Sequence, residues 1–127
     1  MKVVLDTNVI VSGLLSPHSH PGEIVRLLVA GRIQPCLDAR IISEYADVLA
    51  RPKFKFEPEL VAMFLDYLKH NGVFVVCEPL PVDLPDKDDN VFYEAALAEK
   101  VVCLVTGNLK HFPRSTCALT AEKLIGV

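Results

Sequence analysis

The chain has cysteines but no cysteine motif. Cys36, Cys77, Cys103 and Cys117 stand far apart and no Cys-x-x-Cys pair occurs. That spacing argues against a zinc knuckle or a dithiol redox centre. Cys103, inside Val101-Val102-Cys103-Leu104-Val105, reads as a small core residue. Long apolar runs are also lacking: none reaches the roughly 18 residues of a membrane helix. The amino end does not read as a signal peptide, because Asp6 interrupts its apolar run and no small-residue cleavage site follows. A cytosolic (cytoplasmic) protein is therefore the expectation. Excess positive charge is missing too, since 13 Lys and Arg face 16 Asp and Glu for a net charge of −3. Binding of nucleic acid through a broad basic surface is disfavoured, which leaves room only for a small basic rim. Repeats, low-complexity stretches and long linkers are absent from the sequence.

The 127 residues, 51% of them hydrophobic, suit one compact domain over 1–127 with a single core. Residues 2–6 read as a buried strand ending at Asp6, and 7–14 begin a helix that Thr7 or Asn8 can cap. Residues 17–22 read as a loop. A helix over 23–30 is stopped by Gly31, and 33–37 form a second strand. Residues 39–50 form a helix ending before Pro52. Another helix, 58–70, carries Leu60, Phe64 and Leu68 at a spacing of four and ends at Asn71-Gly72. Residues 73–77 read as a strand, and Pro79, Pro81 and Pro85 bar regular structure up to Asp86. A helix over 88–100, a strand over 101–105 and a last short strand and helix within 116–127 complete the chain. Strands that alternate with helices and run continuously apolar predict a mostly parallel sheet covered on both faces. In such sheets ligands bind beyond the carboxyl ends of the strands, the position of both Asp6 and Asn108.

The acidic residues are far apart in sequence but fall at element ends that can converge. Asp6 ends a strand, and its alternatives are a helix cap or a ligand. Glu44 lies three residues after Ile41 and four before Val48, so it points into the apolar stripe Ile41, Tyr45, Val48. A carboxylate there is costly unless paired, hydrogen-bonded or bound to metal, and the alternative is a stripe-edge residue that reaches water. Asp47 falls off the stripe and reads as solvated. Asp86, Asp88 and Asp89 gather at a helix start, where capping and the helix dipole favour one or two acids better than three. Phase relative to Phe92 leaves Asp88 and Asp89 equally able to lean inward. Gathered carboxylates repel by about 1 kcal/mol per pair at about 4 Å in water, and about 4 kcal/mol at an effective dielectric near 20. A bound cation removes that cost, and all-oxygen ligands favour Mg²⁺ or Mn²⁺ over zinc. Such an ion can activate water against a phosphodiester.

Arg51-Pro52-Lys53-Phe54-Lys55-Phe56 interleaves cations with rings. The preferred reading is a solvated connector with both phenylalanines in the core. The alternative is a clamp in which cations hold phosphates and rings stack on unpaired bases. Lys110, His111 and Arg114 could line the same rim. His18 and His20, two apart in a loop, read as surface residues rather than ligands.

Together, Val4-Leu5-Asp6-Thr7-Asn8-Val9-Ile10, Ser43-Glu44, Asp86-Lys87-Asp88-Asp89-Asn90 before Ala95-Ala96-Leu97-Ala98, and Leu104-Val105-Thr106-Gly107-Asn108 resemble a PIN-domain ribonuclease. The likeness spans nearly the whole chain in the expected order, and is nearest to the branch of toxin components of toxin–antitoxin systems. It implies a three-layer α/β/α sandwich with a parallel sheet of about five strands, and Mg²⁺- or Mn²⁺-dependent cleavage of single-stranded RNA. It also implies Asp6, Glu44 and Asp89 as core carboxylates, with Asp86 a further acid of the motif. Thr7, Asn8, Asp88, Thr106 and Asn108 would support them, and Arg51, Lys53, Lys55 and Lys110 would meet the RNA. Asn108 stands where the family often has Asp, which would weaken a second metal site. A protein antitoxin and a homodimer are the implied partners. The rivals are an inactive RNA- or protein-binding module, and a phosphatase with Asp6 as nucleophile. The latter lacks its usual second acid, because that position is Asn8.

Overall fold

The computed structural model describes residues 2–75, Phe92, 103–106 and Ala118–Leu119. Strand β1 (Lys2–Leu5) is buried over its last three residues and leads through Asp6 into helix α1 (Thr7–Leu15). Helix α2 (His20–Val29) starts three residues before the expected Glu23, so half of the expected loop is helix. Ser19 is the reason: its Oγ accepts from Gly22 N at 3.1 Å. Pro21 sits in the first turn, where a missing N–H costs nothing. Gly31, at φ +76, ends this segment in the left-handed region that favours glycine.

Strand β2 (Gln34–Leu37), helix α3 (Ala39–Leu49), a short 3-10 turn (Pro52–Phe54), helix α4 (Pro58–Asn71) and strand β3 (Val73–Phe74) follow. The later strands are β4 (Cys103–Val105) and β5 (Ala118–Leu119). Phe92 is helical and buried. The expected helix around it, the far part of the expected strand 73–77, and the chain beyond 119 lie outside the described residues.

The elements form an α/β fold with a parallel sheet flanked by helices, in the order β3-β2-β1-β4-β5. The expected α/β class is therefore present. Apolar side chains of β1, β2 and β4 sit at or near zero exposure beside Ile10, Ile24, Leu28, Ile41, Leu49 and Leu68. A continuous apolar strand is what a sheet covered on both faces requires. Gly13 lets α1 and α2 approach, because a Cβ there would lie 2.6 Å from the carbonyl oxygen of Pro21 and from Val25 Cγ2.

Two stripes differ in phase from expectation. On α3 the buried residues are Ile41, Tyr45 and Leu49, with Val48 half-buried. Glu44 consequently flanks the buried stripe and is half-buried, as a charge beside a core must be. On α4, Leu65 and Leu68 are buried and Val61 and Phe64 half-buried, whereas Leu60 is 59% exposed. A spacing of four residues drifts off a 3.6-residue period, which carries Leu60 out of the core. Among the described residues no helix is long and apolar enough to cross a membrane.

Strand order defines where a ligand would sit. From β1 the chain steps outward to β2 and β3, then returns to the other side of β1 for β4 and β5. The direction reverses between β1 and β4, so the crevice of this sheet opens beyond their carboxyl ends.

Candidate functional site

Asp6 and Thr106 directly follow β1 and β4, at that reversal. β4 pairs with β1 up to Leu5↔Val105, and Asp6 N donates to the Val105 carbonyl at 2.9 Å. Continuing the ladder one residue past the strand sets the two side chains together. Thr106 Oγ1 donates to Asp6 Oδ2 at 2.7 Å, and both residues are buried, at 0% and 4% exposure. A hydroxyl this close to a carboxylate is a charge-assisted bond.

Both readings of Asp6 left open by its sequence have a physical basis. It is the N-cap of α1 and accepts from Asn8 N, but at 3.5 Å. That is long for a cap, at the limit of a hydrogen bond. Capping explains the backbone turn, whereas the better-formed contact is with Thr106. Asp6 also lies at the positive end of α1, where negative charge is favoured. Asn8 itself is exposed.

Thr7, the first residue of α1, is buried and donates through Oγ1 to Glu44 Oε2 at 2.6 Å. Next to Glu44, Tyr45 is fully buried and its hydroxyl donates to the Leu5 carbonyl at 2.5 Å. Consecutive residues of α3 thus grip residues on either side of Asp6. Helical phase and strand-end position, read from sequence, pick out Glu44 and Asp6, and the fold brings them into one neighbourhood. Burial pushes the Tyr45 phenol well above its ordinary value, and the charges of Asp6, Glu44, Cys36 and Asp38 push it in the same direction. Tyr45 therefore remains a hydroxyl donor at neutral pH.

Sequence reading missed Asp38 and Tyr45. Asp38 follows β2 as Asp6 follows β1, a signal that was available. It caps α3 through Ile41 N at 2.9 Å, and it takes a forked pair of bonds from Arg40 Nε and Nη2 at 3.2 and 2.9 Å. Those bonds mark it as a structural acid. For Tyr45 the signal was a phenol inside an apolar stripe, since a buried tyrosine hydroxyl must find a partner.

Asp47 is exposed and lies 3.6 Å from Arg51 across one helical turn, as a solvated residue would. In the basic segment the Phe54 and Phe56 rings stack at 5.8 Å and are half-buried against the core. Lys53 Nζ stands 5.0 Å from the centre of the Phe54 ring, and Lys55 adopts a left-handed φ of 57°. Both rings are thus half-buried rather than in the core as expected, and Arg51, Lys53 and Lys55 are exposed. His18 and His20 are exposed. Asp86, Asp88, Asp89, Asn108 and Lys110 lie outside the described residues, and among the described residues no three His, Cys, Asp or Glu side chains form a group that could hold a metal.

The two described acids offer hard oxygen donors with their orientation fixed by hydroxyls, which is the donor chemistry suited to Mg²⁺ or Mn²⁺. A parallel sheet carrying such carboxylates at its switch point is an α/β ligand-binding arrangement. The chain belongs to the PIN-domain family, whose model matches residues 2–110. Members of that family are generally nucleases. The chain is also 28% identical over 118 residues to an uncharacterized protein of Methanocaldococcus jannaschii, covering 85% of this chain and 71% of that relative. No solved structure matches the chain.

Proposed function

We propose that the protein is a Mg²⁺- or Mn²⁺-dependent endoribonuclease that cuts single-stranded RNA, acting as the toxin of a toxin–antitoxin pair. The observation that carries the reading is the joining of Asp6 and Glu44 through Thr7 at the sheet's switch point. Asp6 and Glu44 would hold the ion, with Asp86 and Asp89 completing the set and Asp88 and Asn108 assisting. When bound, the ion supplies an activated water and neutralises charge on the phosphodiester. The protein supplies orientation. Thr106 holds Asp6 Oδ2 and Thr7 holds Glu44 Oε2, which fixes how each carboxylate is turned. Burial of Asp6 removes competing water and strengthens its attraction for a cation.

Arg51, Lys53 and Lys55, all exposed, would meet RNA phosphates together with Lys110. A few cations rather than a basic face suit a chain whose net charge is −3. The toxin role and the protein antitoxin rest on the resemblance of the sequence motifs, as does a homodimer. A small upstream reading frame whose product co-purifies with this chain is the expected companion.

The test is incubation of purified full-length protein and Asp6→Asn with an unstructured RNA and Mn²⁺. Cutting by the wild type, lost by at least about a hundredfold in the folded variant, is expected. Intact RNA with the wild-type protein, or equal cutting by Asp6→Asn, would overturn the reading.

A further inference from the structure

Tyr45 lies beside the acidic site, yet no step of the proposed chemistry uses it. It follows Glu44 in α3, and its hydroxyl donates to the carbonyl of Leu5, the residue before Asp6. On its other side the ring stacks on Phe92, with centroids 6.3 Å apart and planes at 23°. Phe92 is three residues beyond Asp89 in sequence. One buried side chain therefore contacts the strand bearing Asp6, belongs to the helix bearing Glu44, and packs on the segment bearing the third set of acids.

The place of the hydroxyl matters. The register of β1 with β2 runs through Lys2↔Gln34 and Val3↔Pro35, whereas its register with β4 runs on to Leu5↔Val105. At its carboxyl end β1 is thus paired with β4 on one flank, and on the other Leu5 receives Tyr45. We infer that Tyr45 is a positioning residue for the acidic site: its hydroxyl fixes the end of β1, and with it Asp6, at a set distance from Glu44. Like charges held close repel, so their relative placement must be imposed by the frame.

The inference rests on the metal-binding reading above. Its test compares Tyr45→Phe with Tyr67→Phe in the full chain. Tyr67 makes the same kind of bond, from its hydroxyl to the carbonyls of Leu28 and Val29, away from the acids. The readouts are Mn²⁺ affinity by calorimetry, and native-state hydrogen exchange of the Asp6 amide without metal. Tyr45→Phe is expected to weaken Mn²⁺ binding about tenfold, equivalent to about 1.4 kcal/mol, and to speed Asp6 exchange by a similar factor. Tyr67→Phe is expected to change neither. Either readout staying at its wild-type value in Tyr45→Phe, or changing equally in Tyr67→Phe, overturns the inference while leaving the metal reading intact. Wild-type protein that binds no Mn²⁺ overturns both. Should Tyr45→Phe not fold, 4-aminophenylalanine at position 45 keeps the ring and a donor for the Leu5 carbonyl; Mn²⁺ affinity within about twofold of wild type is expected, and a tenfold loss overturns the inference.

Discussion

Thr106→Val removes one hydroxyl from the centre of the site and little else. Valine matches threonine in shape, so no cavity forms and no neighbour must move. What is lost is the 2.7 Å bond to Asp6 Oδ2, between residues at 0% and 4% exposure. Hydrogen bonds to charged groups contribute about 1.5–3 kcal/mol, and this one is buried, so a loss of about 2–3 kcal/mol is expected. Thr106→Ser is the counterpart: it keeps the hydroxyl and deletes a buried methyl, at a cost of about 1 kcal/mol. The expected order of stability is wild type, then Thr106→Ser, then Thr106→Val. Urea unfolding followed by circular dichroism measures it, with an unchanged slope certifying that the midpoints report stability. Against a total of roughly 5–15 kcal/mol, a loss near 2–3 is easily resolved. If Thr106→Val proves as stable as Thr106→Ser, the bond between the strand ends contributes no more than a methyl group, and the account of how Asp6 is held is wrong.

Tyr45 sets an alkaline limit. Its folded-state value is raised by burial and then by Asp6 and Glu44. Below about pH 10 both states hold the proton and it contributes no slope. Above that, the unfolded chain releases a proton that the folded one keeps, and stability falls by about 1.4 kcal/mol per pH unit. Urea midpoints between pH 9 and 11 should therefore drop more steeply for wild type than for Tyr45→Phe, and parallel lines would contradict the assignment. Gly13→Ala tests the α1–α2 contact: better helix propensity stabilises by about 0.5–1 kcal/mol. The added Cβ, however, meets the Pro21 carbonyl at 2.6 Å, and overpacking costs about 1–3 kcal/mol. A net loss of about 1–2 kcal/mol is expected in thermal or urea melts, and a gain would show that the helices separate freely.

The fold was legible because burial writes itself into pattern. Val3-Val4-Leu5 and Cys36-Leu37 are apolar without alternation, and that is the mark of strands covered on both faces. Glu44 was only partly legible, because the buried stripe runs Ile41, Tyr45, Leu49 and leaves it half-buried at the edge, whereas Asp6 was legible from its place at a strand's end. The start of α2 was not, because His18-Ser19-His20-Pro21-Gly22 reads as a turn until Ser19 is seen to cap a helix that begins with proline. Leu60 was misplaced because three residues spaced by four fit two neighbouring stripes, and only packing selects one. The partners of Asp6 and Tyr45 were illegible for a different reason. Thr106 is 100 residues from Asp6 and Tyr45 is 40 from Leu5, and no local rule reaches so far.

Those separations also govern the order in which the site can form. Three hydroxyl bonds join segments 37, 40 and 100 residues apart. Closing the longest loop costs roughly 0.9 kcal/mol more entropy than closing the shortest. Parallel strands add slow, non-local pairing on top of that. The helical part of the chain up to β3 can gather Glu44 and Tyr45 against β1 while Asp6 still lacks Thr106. Asp6 gains its Thr106 bond only when β4 docks beside β1. Full anchoring of Asp6 is thus a late arrival in folding, and a nascent chain that has not yet emitted Thr106 carries Asp6 without it.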